Sequence, residues 1–167
     1  MELEEGKEKF IQSWGTLGSN WGVNRTMAQI HALLLISAEP LSAMQVKEQL
    51  SISMGNTNMN LRALMDWGLV YKKLKSGERK EFFEAEKDTW EIVKKIVIQR
   101  KKKELEPVVK ILDDISAVQG KCDDSIEFSK VIKDLKLFSN KADSMLDKLI
   151  KADSNWFMKS FINNMIK

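Results

Sequence analysis

Leu50-Ser-Ile-Ser53-Met-Gly55-Asn56-Thr57-Asn58-Met59-Asn60-Leu61-Arg62-Ala-Leu64-Met65-Asp66-Trp67-Gly68-Leu69-Val70 is the stretch whose reading decides the fold. Ser51-Ile52 reads as a tight turn between two helices. The first helix opens at Ser42, where Gln45 three residues later completes a capping-box pattern, and it turns Val46 and Leu50 inward. The second starts at a Ser53 cap and stops at Gly68. Thr57, Leu61, Leu64 and Met65 fall on one face at helical spacing, so that face belongs to a core. Leu69 to Leu74 and Lys80 to Ala85 then read as two strands. Ser76-Gly77-Glu78 joins them, with Gly77 supplying the positive φ a tight turn needs. Helix, turn, helix and hairpin in that order is a winged helix-turn-helix.

Outward from this motif the chain is helical. Phe10, Trp14, Leu17 and Trp21 form one helical stripe. Asn24 is placed to cap the next helix, with Met27, Ile30, Leu34 and Leu35 inward, and Pro40 closes the approach to the motif. Asp88 with Glu91 is a further cap signature, followed by a long helical pattern that Pro107 should kink. Past a loop at Gly120 to Asp124, two more helices are expected, one marked by Ile126, Val131, Ile132 and Leu135, the other by Met145, Leu146, Leu149, Ile150, Phe157, Phe161 and Ile162. The predicted organisation is mainly α: an N-terminal helix over 1–22, a winged helix-turn-helix with a two-stranded β-wing over 23–87, and C-terminal dimerisation helices over 88–167.

Composition bounds the partners. The chain has 167 residues, 43% hydrophobic and 31% charged, with two prolines and a net charge of +3. That suits a largely helical soluble protein, and the net charge alone does not demonstrate a nucleic-acid partner. Placement says more. From Arg62 to Lys80 the cations are Arg62, Lys72, Lys73, Lys75, Arg79 and Lys80, against Asp66 and Glu78. The N-terminus, with Glu2, Glu4, Glu5 and Glu8, is acidic. Cys122 stands alone, so no internal disulfide forms and a reducing cytoplasm is expected. The longest apolar run, Ala32 to Ile36, is too short to span a bilayer, and no signal peptide is evident.

The outer face of the second helix is the sharpest functional signal. Ser53, Gly55, Asn56, Asn58, Met59 and Arg62 point away from the core, with Asn60 counted on the same polar side. Asparagine is a poor helix former, so its repeated use there needs a reason. Its amide pairs bidentately with adenine in the major groove, and arginine pairs with guanine. A merely solvated face would more cheaply use Glu, Lys or Gln. In the wing, Lys73, Lys75, Arg79 and Lys80 are expected on phosphates, with Gly77 and Arg79 at the tip, although lysines on edge strands also guard against aggregation. Arg100-Lys-Lys-Lys103 winds around a helix and reads as a solvated segment.

Phe10, Trp14, Leu149, Phe157 and Phe161 make apolar stripes beyond what the winged domain needs, and are expected to build a twofold dimer. Trp14, Trp21 and Trp90 are candidates to line an effector pocket, although helical spacing favours ordinary packing for the first two. His31 reads as a buried imidazole. One histidine and one cysteine cannot form a usual zinc cluster within a chain. No nucleophile and base pair and no phosphate-cradling glycine loop stands out, so neither catalytic residues nor a cofactor is expected.

Five short strings carry a resemblance: Trp14-Gly15-Thr-Leu-Gly18, Gly22-Val-Asn24-Arg25-Thr-Met-Ala28, Pro40-Leu-Ser42, Leu50 through Arg62, and Asp66-Trp67-Gly68-Leu69-Val70. Over residues of about 10 to 110 the chain resembles the GbsR-type branch of the MarR-like transcriptional regulators. The resemblance implies a homodimeric winged-helix factor, usually a repressor, on a short palindromic operator of double-stranded DNA. It also makes a quaternary ammonium compound the first candidate effector. It supplies no ligand motif that matches residue by residue. The competing expectation is a winged-helix adaptor that binds protein in the transcription machinery; a steep salt dependence of DNA binding separates the two.

Overall fold

Caps and glycines set the boundaries of the elements. The computed structural model describes residues 1–118 and 120–152, so the expected dimer residues Phe157 and Phe161 lie outside the described residues. Helix α1 spans Leu3–Asn20, α2 Arg25–Ile36, α3 Ala43–Leu50 and α4 Met54–Asp66. Strands β1 (Leu41–Ser42), β2 (Val70–Lys73) and β3 (Phe82–Ala85) are interleaved with them. Helix α5 follows at Thr89–Arg100, then a π-helical turn at Lys101–Leu105, α6 at Glu106–Ile115 and α7 at Asp123–Lys151. The described residues divide into two compact units, the first ending at Ile92 and the second beginning at Val93.

In the first unit the expected caps are in place. Asn24 Oδ1 accepts the Met27 N–H at 3.1 Å. Ser42 and Gln45 form a reciprocal capping box, and the Ser53 hydroxyl accepts from Asn56 N–H at 3.2 Å. Helix α4 ends in a Schellman arrangement: Leu69 N–H donates to Leu64 O, Gly68 N–H donates to Met65 O, and Gly68 takes φ 72°. Lys87 closes α2, donating to the carbonyls of Leu34, Leu35 and Ser37 at 2.9, 2.6 and 2.9 Å. A cation on those orphan carbonyls also meets the negative end of the helix dipole.

The sheet is larger than the sequence suggested. It has three antiparallel strands in the order β1-β3-β2, with Leu41 opposite Phe83 and Lys73 opposite Phe82. The two-residue β1 carries too few side chains to show an alternation, so only the hairpin was legible. Ile30, Leu34, Val46, Thr57, Leu61 and Leu64 on the helices and Val70 on β2 are all fully buried and form the centre of the core. Helix α1 packs closely on α2. A Cβ on Gly18 would stand 2.6 Å from that of Ala28, so a side chain there would force the helices apart. The described first unit therefore includes α1.

The second unit departs further from expectation. The proline does not simply kink a helix: a π-helical turn precedes it, and Pro107 sits in the first turn of α6. Proline lacks an N–H and its ring crowds the carbonyl four residues back, which a locally wider turn accommodates. The expected break between two C-terminal helices is absent. Helix α7 runs unbroken for 29 residues, because no glycine or proline occurs between Lys121 and Lys151. Helices α6 and α7 form an antiparallel pair that buries Leu112 and Ile132. Asp113 pairs with Lys136 at 2.8 Å. Lys101 pairs with Asp143 at 3.2 Å and with Asp147. These contacts raise the Lys101 ammonium above its ordinary range and hold Asp147 below its own, each chiefly through the hydrogen bond between them. The cationic run is thus not wholly solvated. Lys101 turns inward, and Arg100 pairs with Glu104.

Candidate nucleic-acid interface

Helix α4 presents two chemically distinct faces. Inward are Thr57, Leu61 and Leu64, fully buried, with the Thr57 hydroxyl donating to Ser53 O at 3.0 Å. Outward, Ser53, Gly55, Asn58, Met59 and Arg62 are exposed. No atom comes within 4 Å of where a Cβ on Gly55 would stand, so the start of this face is open to a close approach. No carboxylate among the described residues pairs with Arg62.

Asn60 corrects the sequence reading. It is buried, and its Nδ2 donates to Asn56 O at 2.8 Å and Asn56 Oδ1 at 2.7 Å. At position i+4 from Asn56 it lies on the border of the two faces, and folding places it inside. Asn56, half-buried, has its carbonyl oxygen already engaged. Of the asparagines on this helix, Asn58 offers its whole amide to a partner.

The wing is organised by ion pairs. Lys72 meets Glu81 at 2.7 Å, Lys73 meets Glu84 at 3.1 Å, and Lys80 meets Glu78 at 3.2 Å. Lys75 reaches Glu39 at 3.7 Å, and its ammonium stands 4.7 Å from the centre of the Phe82 ring. Gly77 takes φ 82°, and Glu78 N–H closes the turn onto Lys75 O at 3.1 Å. Arg79, beside that turn, is exposed and has no carboxylate partner among the described residues. Glu39, Glu81 and Glu84 were not singled out from the sequence, and Glu78 was read only as a turn residue and as a charge set against the nearby cations. The alternation of Lys and Glu through the hairpin was the available signal.

Helix α4 and the wing share a surface. A cleft of about 560 Å³ is lined by Ser42, Met44, Gln45, Asn58, Lys80 and Phe83, together with Glu81. It brings the start of α3, the outer face of α4 and the wing to one concavity. Met44, exposed at the start of α3, belongs to this surface and was missed, because its place in the first turn of α3 gave no sign of what it faces.

The other expected sites are placed as follows. Phe10 and Trp14 stack at 5.4 Å between ring centres, and Trp14 stands 6.3 Å from His31. Both residues have packing partners within the chain. Trp21 is 56% exposed at the end of α1, and Trp90 is half-buried near the start of α5. A larger groove of about 1170 Å³ in the first unit is lined by residues such as Ile11, Leu33, Ile36 and Leu50, and by none of these tryptophans. Leu149 is half-buried on α7. His31 is buried as expected, but its Nε2 has no hydrogen-bond partner. Burial, with the nearby Lys87 charge, pushes its pKa down to about 4. Among the described residues no group of acidic, histidine or cysteine side chains is arranged to hold a metal ion, and no helix is long and apolar enough to cross a membrane.

A three-stranded antiparallel sheet, a helix-turn-helix and a hairpin wing in one unit define a winged helix, in a mainly helical chain. Among solved structures, the chain is similar to one described as a transcriptional regulator, with TM-score 0.66 and 14% identity over 87% of this chain and 95% of that one. It also matches the transcriptional regulator Tm0710 from Thermotoga maritima, with TM-score 0.41 and 15% identity over 85% and 94% of the two chains. A further match is ZitR from Lactococcus lactis, a zinc-responsive MarR family member, with TM-score 0.36 and 16% identity over 84% and 99%. At 14% identity the first of these shows a common fold. No protein-family model matches the chain, and no curated protein matches its sequence.

Proposed function

We propose that the chain is a homodimeric, sequence-specific regulator of transcription that reads double-stranded DNA through α4, in the manner of a repressor on a palindromic operator. The supporting observation is the cleft in which Asn58 of the outer helix face and Lys80 of the wing stand together. One element offers base-pairing donors and acceptors, and the other offers charge for the phosphates beside them. Ser53, Gly55, Asn56, Met59 and Arg62 complete the reading face. Lys73, Lys75, Gly77 and Arg79 complete the wing. Selection of bound fragments from random DNA, followed by titration against salt, tests this. The expected outcome is an enriched inverted repeat whose affinity falls steeply as salt rises. Failure to enrich any sequence removes the proposal.

The carboxylates of the wing favour a second reading, a protein-binding adaptor, because they already neutralise lysines that would otherwise meet phosphate. An adaptor would bind DNA weakly at every salt concentration.

Gating by a small molecule belongs to the first reading. Trp14, Trp21 and Trp90 serve as fluorescent reporters, and choline and betaine are the first probes. Unchanged fluorescence and unchanged operator affinity at millimolar ligand would remove quaternary ammonium compounds as effectors and leave the DNA reading in place.

A further inference from the structure

Met59 is an apolar side chain on a polar face. On the outer side of α4 it stands one turn after Gly55, beside Asn58 and one turn before Arg62, and it is 58% exposed. A single exposed methionine on a helix needs no explanation by itself. This one sits amid the groups that can pair with base edges. No atom lies within 4 Å of where a Cβ on Gly55 would stand, so the first turn of α4 can come close to the floor of a groove. That approach brings the next turn, with Met59, within reach of the bases.

The chemistry of the side chain selects its contact. A thioether carries no charge for a phosphate and no donor for a base, so Met59 gains chiefly by leaving water against another apolar group. In the major groove the base edges present donors and acceptors, and the apolar group among them is the C5 methyl of thymine. Met44 is placed differently. It is 49% exposed and lines the cleft with Asn58 and Lys80, but it belongs to the first helix of the helix-turn-helix, which crosses the backbone and does not enter the groove. We propose that Met59 reads the methyl group of one thymine in each half-site, beside the adenine and guanine edges offered to Asn58 and Arg62. The proposal deepens the DNA reading above and rests on it.

Replacing thymine by uracil removes the methyl group and keeps the base pair, which gives a direct test. The probe is the duplex enriched by selection from random DNA, with each symmetric pair of thymines exchanged for uracil in turn. One pair should matter to the unaltered full chain. Burying a methyl group is worth roughly fourfold in affinity, so losing two should weaken binding roughly fifteenfold. Met59→Ser should bind the thymine duplex about as weakly as the unaltered chain binds that uracil duplex, and should lose nothing further on the exchange. Met59→Leu, still apolar, should keep the penalty, and so should Met44→Ser. A melting curve for each variant checks that the exposed substitutions leave the fold intact. A duplex with no uracil-sensitive thymine, or a penalty that persists in Met59→Ser at every position, would overturn the methyl contact alone. A selection that enriches no sequence would overturn the DNA reading itself, and the contact with it.

Discussion

Helix α4 and the wing lie on one surface, but they hold their polar groups differently. On the outer face of α4, Arg62 has no carboxylate partner among the described residues, and Asn58 is exposed. In the wing Lys72, Lys73, Lys75 and Lys80 each have a carboxylate within 4 Å, Lys75 the most loosely at 3.7 Å. A group already free loses little on meeting a base edge. A paired lysine must leave its glutamate to meet a phosphate, so its gain is the difference between two ionic contacts. The difference teaches that discrimination between sequences should reside in the helix. The wing should contribute a smaller general affinity than its lysine count suggests.

The largest predicted effect strikes the platform beneath both regions. His31 has its pKa pushed down from 6.5 to about 4, first by burial and then by the Lys87 charge. The folded state therefore prefers the neutral ring more strongly than the unfolded state does. That contribution is fully present above pH 6.5 and is lost as pH falls from 6.5 toward 4, to the extent of about 3 kcal/mol. Denaturant unfolding at pH 7.5, 5.5 and 4 reads it. A His31→Phe variant should lose about that much less stability over the same range. If its acid loss matches that of the unaltered chain, burial of His31 is not the cause.

The next effect separates two residues on one helix. Arg62→Ala should weaken operator binding by about 1–3 kcal/mol while leaving thermal stability nearly unchanged. Asn60→Ala removes the buried hydrogen bonds to Asn56 and should cost about 1 kcal/mol of stability instead. Operator titration beside a melting curve for each variant tests the division. Loss of stability in the first variant, or of base preference alone in the second, would erase the border drawn along α4.

How much of this surface was legible follows from periodicity. The caps at Asn24, Ser42 and Ser53, the stop at Gly68 and the inner stripe Thr57, Leu61 and Leu64 were all readable, because each is a short-range rule that tertiary packing reinforces. Asn60 was not, since a residue at the edge of a helical face is assigned inside or outside by the neighbouring elements and not by its own spacing. Strand β1 escaped because two residues show no alternation. The ion pairs of the wing depend on hairpin register, which composition does not reveal. The sequence reading divided α7 between a helix marked as far as Leu135 and another marked from Met145, although the serines and asparagine between them do not stop a helix as glycine or proline does.

Within the wing, Arg79 and Lys75 should differ. Arg79→Ala is expected to flatten the salt slope by about one unit, the signature of one lost phosphate contact. Lys75→Ala should flatten it by less, because Glu39 already draws part of that charge away. Affinity measured at several salt concentrations decides the order. A base preference altered by Arg79→Ala without a change of slope would assign that side chain to the minor groove.

The smallest effect is the most direct test of why the two regions differ. Glu81→Gln removes the carboxylate 2.7 Å from the Lys72 ammonium and keeps a side chain of nearly the same shape. Both partners are about half exposed, so the lost pair should cost the fold at most a few tenths of a kcal/mol. Lys72 then meets phosphate without leaving a partner, and the surface gains one positive charge. Affinity for all DNA sequences should rise about two- to fivefold at low salt, and the advantage should shrink as salt screens it. Arg62→Ala in the same background should still lose its full base discrimination, because the two regions act on different parts of the duplex. Unchanged affinity in Glu81→Gln would mean that the wing lysines do not reach phosphate at all, and the adaptor reading would gain what the DNA reading loses.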